Sequence, residues 1–229
     1  MDRLNSLLAT FEKVLIHVRR NVDSAMEQQL LQAVTLTQLQ TELNTDQAKK
    51  TFWINIYNAF YQFEANKATA NRKTIFSAKV IHIGHYYFSL DDIEHGILRK
   101  NRWKWSFGYL RNPFASALLK DLEVQEIDYR IHFALNCGAK SCPPIAFYTF
   151  EKLEQQLDHA MYSFLEQETT VDHPTKIIAT SKLLLWYRAD FGGTKGIKQI
   201  LTKVLEFDTT PYTIKFADYS WETHLENFV

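Results

Sequence analysis

Sulfur, glycine and net charge are all in short supply in this chain. Its 229 residues include only two cysteines, three methionines, seven glycines and five prolines. Two cysteines cannot build a disulfide framework, so core burial has to hold the fold. So few glycines argue against a turn-rich all-β architecture. Lys and Arg number 26, Asp and Glu also 26, and the isoelectric point is near 7.1. No global field draws nucleic acid or a membrane surface, so neither is an expected partner. No run of eighteen apolar residues exists that could span a bilayer. The first twenty residues, MDRLNSLLATFEKVLIHVRR, are charged throughout and lack the apolar core of a secretory signal. A cytoplasmic location is therefore the expectation.

Hydrophobic residues make up 46% of the chain and aromatics 14%. That is ample for a packed core and excludes a disordered chain. Leu4, Leu7, Leu8, Phe11, Val14, Leu15 and Val18 recur at helical spacing and predict a first helix over residues 1–20. A second helix is expected over 26–43. Neither carries a catalytic group, so this layer covers the core or serves a partner, a homodimer through these helices included. Thr45 and Asp46 can cap a third helix running to about Asn66. Its middle, TFWINIYNAFYQF, is apolar nearly all round and predicts a central buried helix over 52–63. Asn55 and Asn58 lie three apart on it, where buried amides must find partners and would tie loops to the helix.

Further on, KVIHIGHYYFSL reads as a strand or hairpin, and Ser89 as the cap of a short helix, LDDIEHGILR, with Asp92 at the capping-box position. Residues 113–123, 149–168 and 194–205 are expected to be helical. YRIHFALN, TKIIATS and YTIKFADY are expected strands, and TTVDHPTK a surface loop. Together these predict one helix-rich α+β domain with a small sheet over residues 46–229, behind an N-terminal helical layer over 1–45.

Four segments occur in one order: FWINIYNAF (52–60), SLDDIEHGILR (89–99), HFALNCGAKSCPPI (132–145) and WYRADFGG (186–193). They resemble the domain of unknown function 547 family, over roughly residues 50–221. Members tend to close on a Tyr-Asp-Trp-x-Leu-Asn-like motif. Here the chain reads DYSWETHLEN, which leaves Asp218 as the substitute for that Asp. The resemblance implies a fold more than an activity.

Both thiols fall in the third segment, as Cys137 and Cys142. If YRIHFALN is a strand, His132, Ala134 and Asn136 share one face and Phe133 and Leu135 the other. His132 would then pair with Asn136 and be badly placed to act on Cys137. Gly138 permits a sharp turn, whose backbone N–H groups could converge on an anion and lower the Cys137 pKa. Pro143 and Pro144 stiffen the far end of the loop. The competing reading is burial, since free cysteine packs as a small apolar group, and this applies most to Cys142. Ser141, beside Lys140, is an alternative nucleophile with nothing visible to activate it.

A base for the thiol is offered by His95, with Asp91 and Asp92 four and three residues before it on a helical face. Glu94 points a quarter-turn away, and Arg99 opposes protonation of the imidazole. Cys137, Cys142, His82, His85, His95 and His132 lack zinc-site spacing, so no metal and no cofactor are expected. ADFGG contains Asp-Phe-Gly, but without a glycine-rich loop it does not make a kinase. RKNRWKWSFGYLR (99–111) mixes cations and aromatics in a way that could suit single-stranded nucleic acid; overall neutrality favours a solvated loop anchored by its tryptophans.

Two functions from different classes follow. One is a thiol-dependent hydrolase or acyltransferase acting on a small molecule or peptide, with papain- or transglutaminase-like logic. Its nucleophile is Cys137, its oxyanion donor Gly138 and its base His95, oriented by Asp91, Asp92 or Glu94. Asn55, Asn58, His132, Asn136, Gly138 and Ser141 would shape its binding site. The other is a non-catalytic ligand- or protein-binding module whose motif residues are structural.

Overall fold

The computed structural model describes residues 7, 8, 25–67, 71 and 74–225, apart from the side chain of Glu27. The helix expected over residues 1–20 lies outside these, except that Leu7 and Leu8 are helical and buried. The helix expected over 26–43 is two helices, α1 (Ala25–Ala33) and α2 (Leu36–Glu42). Thr35 interrupts it in an extended conformation. Its hydroxyl accepts from the Gln38 N–H while the Gln38 side chain accepts from the Thr35 N–H, a capping box that restarts the helix.

Helix α3 (Asp46–Ala65) is the central helix. Thr45 caps it through the Ala48 N–H, and Asp46 accepts the backbone N–H groups of Gln125 and Glu126. Every residue from Thr51 to Gln62 is buried, including Trp53, Ile56 and Phe60. A hairpin of β1 (Ile81–Ile83) and β2 (Tyr86–Phe88) follows. Its turn residue Gly84 has φ +60°, and a Cβ there would sit 2.3 Å from the Val34 carbonyl oxygen, so only glycine lets the hairpin dock on the end of α1.

The segment capped by Ser89 and Asp92 then winds as a π-helix, Asp92–Leu98, instead of an α-helix. After it come a 3₁₀ turn (Lys104–Ser106) and α4 (Ala117–Leu122), capped by Ser116 and shorter than expected. YRIHFALN is not a strand: Tyr129–Phe133 is a 3₁₀ helix. Asp128 starts it by accepting the Arg130 N–H. An apolar run buried on all sides leaves no period to separate strand from helix. This segment divides its side chains between two hydrophobic clusters. Ile131, Ala134 and Leu135 join the one built on α3, and Phe133 joins the other.

That second cluster rests on α5 (Leu153–Glu168), α6 (Leu183–Trp186) and α7 (Gly193–Leu205). Ile197, Ile200, Leu201 and Val204 face inward on α7 as their spacing predicted. A three-stranded sheet completes the layer: β3 (Thr170–Asp172) antiparallel to β4 (Ile177–Thr180), which runs parallel to β5 (Thr213–Phe216). TTVDHPTK, expected as loop, thus supplies β3 and the turn into β4. The result is a helix-rich α+β domain with two small sheets, and the seam between its two clusters opens as a cleft.

Candidate active site

The cleft has a volume of about 500 Å³ and draws on segments far apart in the chain. Tyr57 comes from α3, Glu94 and His95 from the π-helix, and His132 from the 3₁₀ helix. Cys137 and Cys142 come from the loop beyond it, Trp186 and Tyr187 from the end of α6, and Tyr219 and Trp221 from the C-terminal strap. Cys137, Glu94 and His95 therefore share one cleft, although the chain separates the acid and imidazole from the thiol by about forty residues.

Glu94 is buried. Tyr187 donates its hydroxyl to Oε1 at 2.6 Å and Tyr57 donates to Oε2 at 3.2 Å. Burial alone would raise its pKa. His95, the Tyr187 hydroxyl and Arg99 overcome that, and the carboxyl sits below its ordinary value. The π-turn is what aims it: wider winding brings both Glu94 and His95 to the cleft wall, where α-helical spacing put Glu94 aside.

His95 Nδ1 lies 2.7 Å from Arg99 Nη1. A guanidinium only donates, so Nδ1 is the acceptor and the neutral ring carries its proton on Nε2. That nitrogen faces Asp91 at 3.6 Å. Burial lowers the His95 pKa, Glu94 pulls it back up, and Arg99 lowers it further; the net direction is down. His95 so held is a hydrogen-bond donor at Nε2, with its basic lone pair already engaged.

The second imidazole is arranged the other way. His132 Nε2 lies 2.9 Å from Asp190 Oδ2, so the carboxylate fixes the proton on Nε2 and leaves Nδ1 as the basic nitrogen. Nδ1 has no hydrogen-bond partner among the described residues. The ring stacks on Tyr187 with centroids 3.8 Å apart. Burial lowers the His132 pKa against the opposing pull of Asp190, so the resting ring is neutral. Asp190 also binds Arg99, whose Nε lies 2.5 Å from Oδ2. Burial would raise the Asp190 pKa, but His132 and Arg99 bring it down to about 2.

The thiols are adjacent and unequal. Cys142 is buried, and burial pushes its pKa well up. Cys137 is partly exposed. Its pKa is lowered, first by a hydrogen bond from Cys142, against burial, and then by the Tyr219 hydroxyl, 3.2 Å from Sγ. No imidazole nitrogen is a hydrogen-bond partner of Cys137 among the described residues. The turn forms as expected, with Gly138 at φ +64° and room for no Cβ beside Tyr61. One of its backbone donors, the Ala139 N–H, reaches the Cys137 sulfur and helps lower its pKa, but the turn does not form a nest for a substrate anion. The Gly138 N–H goes to Asn136 Oδ1 at 2.8 Å and the Cys137 N–H to Cys142 Sγ at 2.7 Å, so the donors expected for an oxyanion are already used.

The remaining predicted site residues all have partners within the fold. Asn55 exchanges hydrogen bonds with the Tyr148 backbone, and Asn58 with Ala134 and Asn136, so α3 does tie down two loops. Asn136 also donates to the Pro143 carbonyl instead of pairing with His132. Ser141 Oγ accepts the Ser220 N–H and pins the C-terminal strap over the thiol loop. Asp92 is engaged by Ser89 and Lys79 outside this cleft, while Asp91 lines it, paired to Lys104 at 2.5 Å. Asp218 turns outward to Lys182, and its neighbour Tyr219 enters the site in its place. Sequence reasoning missed Tyr57, Tyr187, Asp190 and Tyr219. All four lie in segments it had singled out, FWINIYNAF, WYRADFGG and DYSWETHLEN, but nothing local marked Tyr57 and Tyr187 as carboxylate ligands.

Among the described residues, no group of three or more His, Cys, Asp or Glu is placed to hold a metal ion, and no helix is long and apolar enough to cross a membrane. A family model described as "Protein of unknown function, DUF547" matches residues 40–165, more than half of the chain. The match takes in the first three motif segments, and the fourth, at 186–193, lies beyond it. No curated protein and no solved structure matches the chain.

Proposed function

The chain belongs to the DUF547 family, and from its cleft we propose that it is a thiol-dependent hydrolase or acyltransferase with Cys137 as nucleophile. The observation that carries this reading is that a partly exposed thiol of lowered pKa opens on the same cleft as two neutral imidazoles and an ionised, buried carboxylate. The base assigned is His132 in place of His95. Asp190 holds His132 in the tautomer that leaves Nδ1 basic, whereas Arg99 occupies the corresponding nitrogen of His95. A base oriented by a carboxylate on its other nitrogen is the arrangement shared by thiol and serine acyl-transfer enzymes.

In the reaction, Cys137 passes its proton to His132 Nδ1, and Asp190 stabilises the imidazolium. Sγ attacks the substrate carbonyl carbon, the bond to the leaving group breaks, and His132 returns the proton to that group. Water then cleaves the thioester in a hydrolase, or an acceptor nucleophile does so in an acyltransferase; either restores the thiol. His95, protonated on Nε2, is the donor available to the developing oxyanion. The hydrogen bond of Cys137 to Tyr219, and not to an imidazole, favours a second reading, a non-catalytic ligand-binding module; the enzyme reading requires substrate to draw Sγ toward His132.

The test uses p-nitrophenyl acetate and iodoacetamide on the full chain. The enzyme reading expects a burst of p-nitrophenol that Cys137→Ala abolishes and His132→Ala slows at least about a hundredfold, the low end for a general base. It also expects Cys137 to be alkylated well below pH ~8.5. Acylation that persists in Cys137→Ala, or alkylation of Cys137 only after unfolding, would leave the binding module.

A further inference from the structure

We propose that the loop at the mouth of the cleft is a docking surface for an anionic lipid bilayer. The tryptophans of RKNRWKWSFGYLR were expected to anchor the loop, and they do not. Trp105 is 79% exposed and Trp103 43%; Phe107, Tyr109, Leu110 and Phe114 are exposed with them, Phe114 at 86%. Six large apolar side chains are exposed within one twelve-residue stretch, a concentration of the kind that marks an interaction site. The display is built into the backbone. Residues 101–112 form a closed loop through Arg102 paired with Arg111, Trp103 N–H on the Leu110 carbonyl and Asn112 N–H on the Asn101 carbonyl. The Ala189 N–H binds the Phe107 carbonyl and fastens the tip to the body of the domain. Gly108, at φ +84°, lies so close to the Arg99–Asp190 pair that a Cβ would reach 2.5 Å from Asp190 Oδ1.

Charge selects the partner. From Arg99 to Lys120 the chain holds six cations and no acid, an asymmetry hidden by the neutral total. Arg99, Lys104 and Arg111 are taken up by Asp190, Asp91 and Glu123. Lys100, Arg102 and Lys120 have no carboxylate partner among the described residues; Lys100 and Arg102 bind only backbone carbonyls. Indole and phenol rings beside cations that carboxylates do not neutralise suit the interfacial layer of a bilayer, where rings sit at headgroup depth and Lys and Arg meet anionic lipid. Single-stranded nucleic acid also stacks on aromatics, but it needs a cationic groove and gains little from an exposed Leu110 beside Phe114. Trp105 and Phe107 line the cleft as well as this patch, so docking would set the mouth of the cleft against the membrane. The proposal concerns association from one side, needs no spanning segment, and stands whether or not Cys137 is catalytic.

The test is co-sedimentation of the full chain with sucrose-loaded vesicles of phosphatidylcholine alone, or with about 30% phosphatidylserine. Binding to the anionic vesicles is expected. It should fall at least about tenfold on Leu110→Ser/Phe114→Ser, since membrane affinity scales with buried apolar area. It should weaken further in high salt and on Lys100→Glu/Lys120→Glu. All four residues lie outside the cleft lining, and unchanged melting of both double variants shows that the fold is intact. Failure of the wild type to bind anionic vesicles would overturn the proposal. So would equal binding by the serine variant, or binding to a single-stranded oligonucleotide but not to vesicles.

Discussion

Asp190→Asn is the most informative single change, because one carboxylate holds both the Arg99 guanidinium and the His132 ring of the site in place. Arg99 has a side-chain exposure of 0% and Asp190 of 1%, and their shortest contact is 2.5 Å. The asparagine keeps the shape and one acceptor but removes the charge. It leaves a guanidinium in the interior with no ion-pair partner: its direct contacts are the neutral His95 and the Tyr187 ring, whose centroid lies 4.6 Å from its central carbon, and the Glu94 carboxylate acts on it only through the field. Breaking a buried pair from one side costs about 3–5 kcal/mol, because the stranded charge keeps its desolvation penalty. For a chain of this size each kcal/mol moves the melting temperature by about 2–4 °C, so the variant should melt roughly 6–20 °C lower. The same carboxylate predicts an acid limb. Its pKa falls from 3.8 in the unfolded chain to about 2 when folded. The folded pKa is depressed, so the contribution is fully present above pH ~4 and is lost as pH falls through about 2; it amounts to about 2 kcal/mol. Urea unfolding of wild type and variant at pH 7 and across pH 2–4 measures both effects. Asp190→Asn should lose stability at pH 7 and lack the extra acid-side slope. A variant that unfolds within about 0.5 kcal/mol of wild type at pH 7, as surface changes do, would refute the picture of a dry Arg99–Asp190–His132 cluster.

Two further outcomes follow from burial. Phe60→Ala, in the middle of α3, should cost about 3–5 kcal/mol by calorimetry, whereas Cys137→Ser should melt within about a degree or two of wild type because the thiol faces the cleft; comparable losses for both would place Cys137 in the core. His95 and His132 are both held neutral by burial, their pKa values below the ordinary 6.5. The unfolded chain therefore takes up protons first. Melting temperature should rise with pH through about 6.5 and fall below it, and replacing both rings by asparagine should flatten that slope.

Local signals with a direct backbone consequence were legible in the sequence. Thr45, Ser89 with Asp92, the apolar face of α7 and the all-round apolar middle of α3 each state a local rule that the fold obeys. The Thr35–Gln38 capping box was equally legible and should have split the second helix. YRIHFALN was not legible. Strand and 3₁₀ helix bury the same apolar run, and only packing between two cores decides which one forms. The site was legible as a set of segments and illegible as a set of partners. His95 with Cys137 followed from chain chemistry alone. Arg99 lies only four residues from His95, but its anchor on Asp190, and the orientation of His132 by that same Asp of the apparent kinase-like ADFGG, depend on contacts spanning 91 residues and 58 residues.

The π-helix shows why spacing rules failed where they mattered most. An α-helix through LDDIEHGILR would place His95 with Asp91 and Asp92 on one face and turn Glu94 aside, an exposed network worth little. The wider turn, visible in the Asn101 N–H bonding the Gly96 carbonyl five residues back, sacrifices ideal backbone geometry. In exchange it delivers three successive functions from one segment: Glu94 to the two tyrosines, His95 to Arg99, and Arg99 through to Asp190 beneath His132. Gly96 sits at the crowded side of that turn, where a Cβ would press to 3.1 Å from the Leu119 side chain of α4. Tight packing of α3 and α4 against the segment holds the π-turn in place, so the irregularity belongs to the tertiary fold and not to the local sequence. Uncommon backbone kept in place by packing clusters at functional sites, and here it lies along the wall of the cleft that the partly exposed Cys137 thiol also lines.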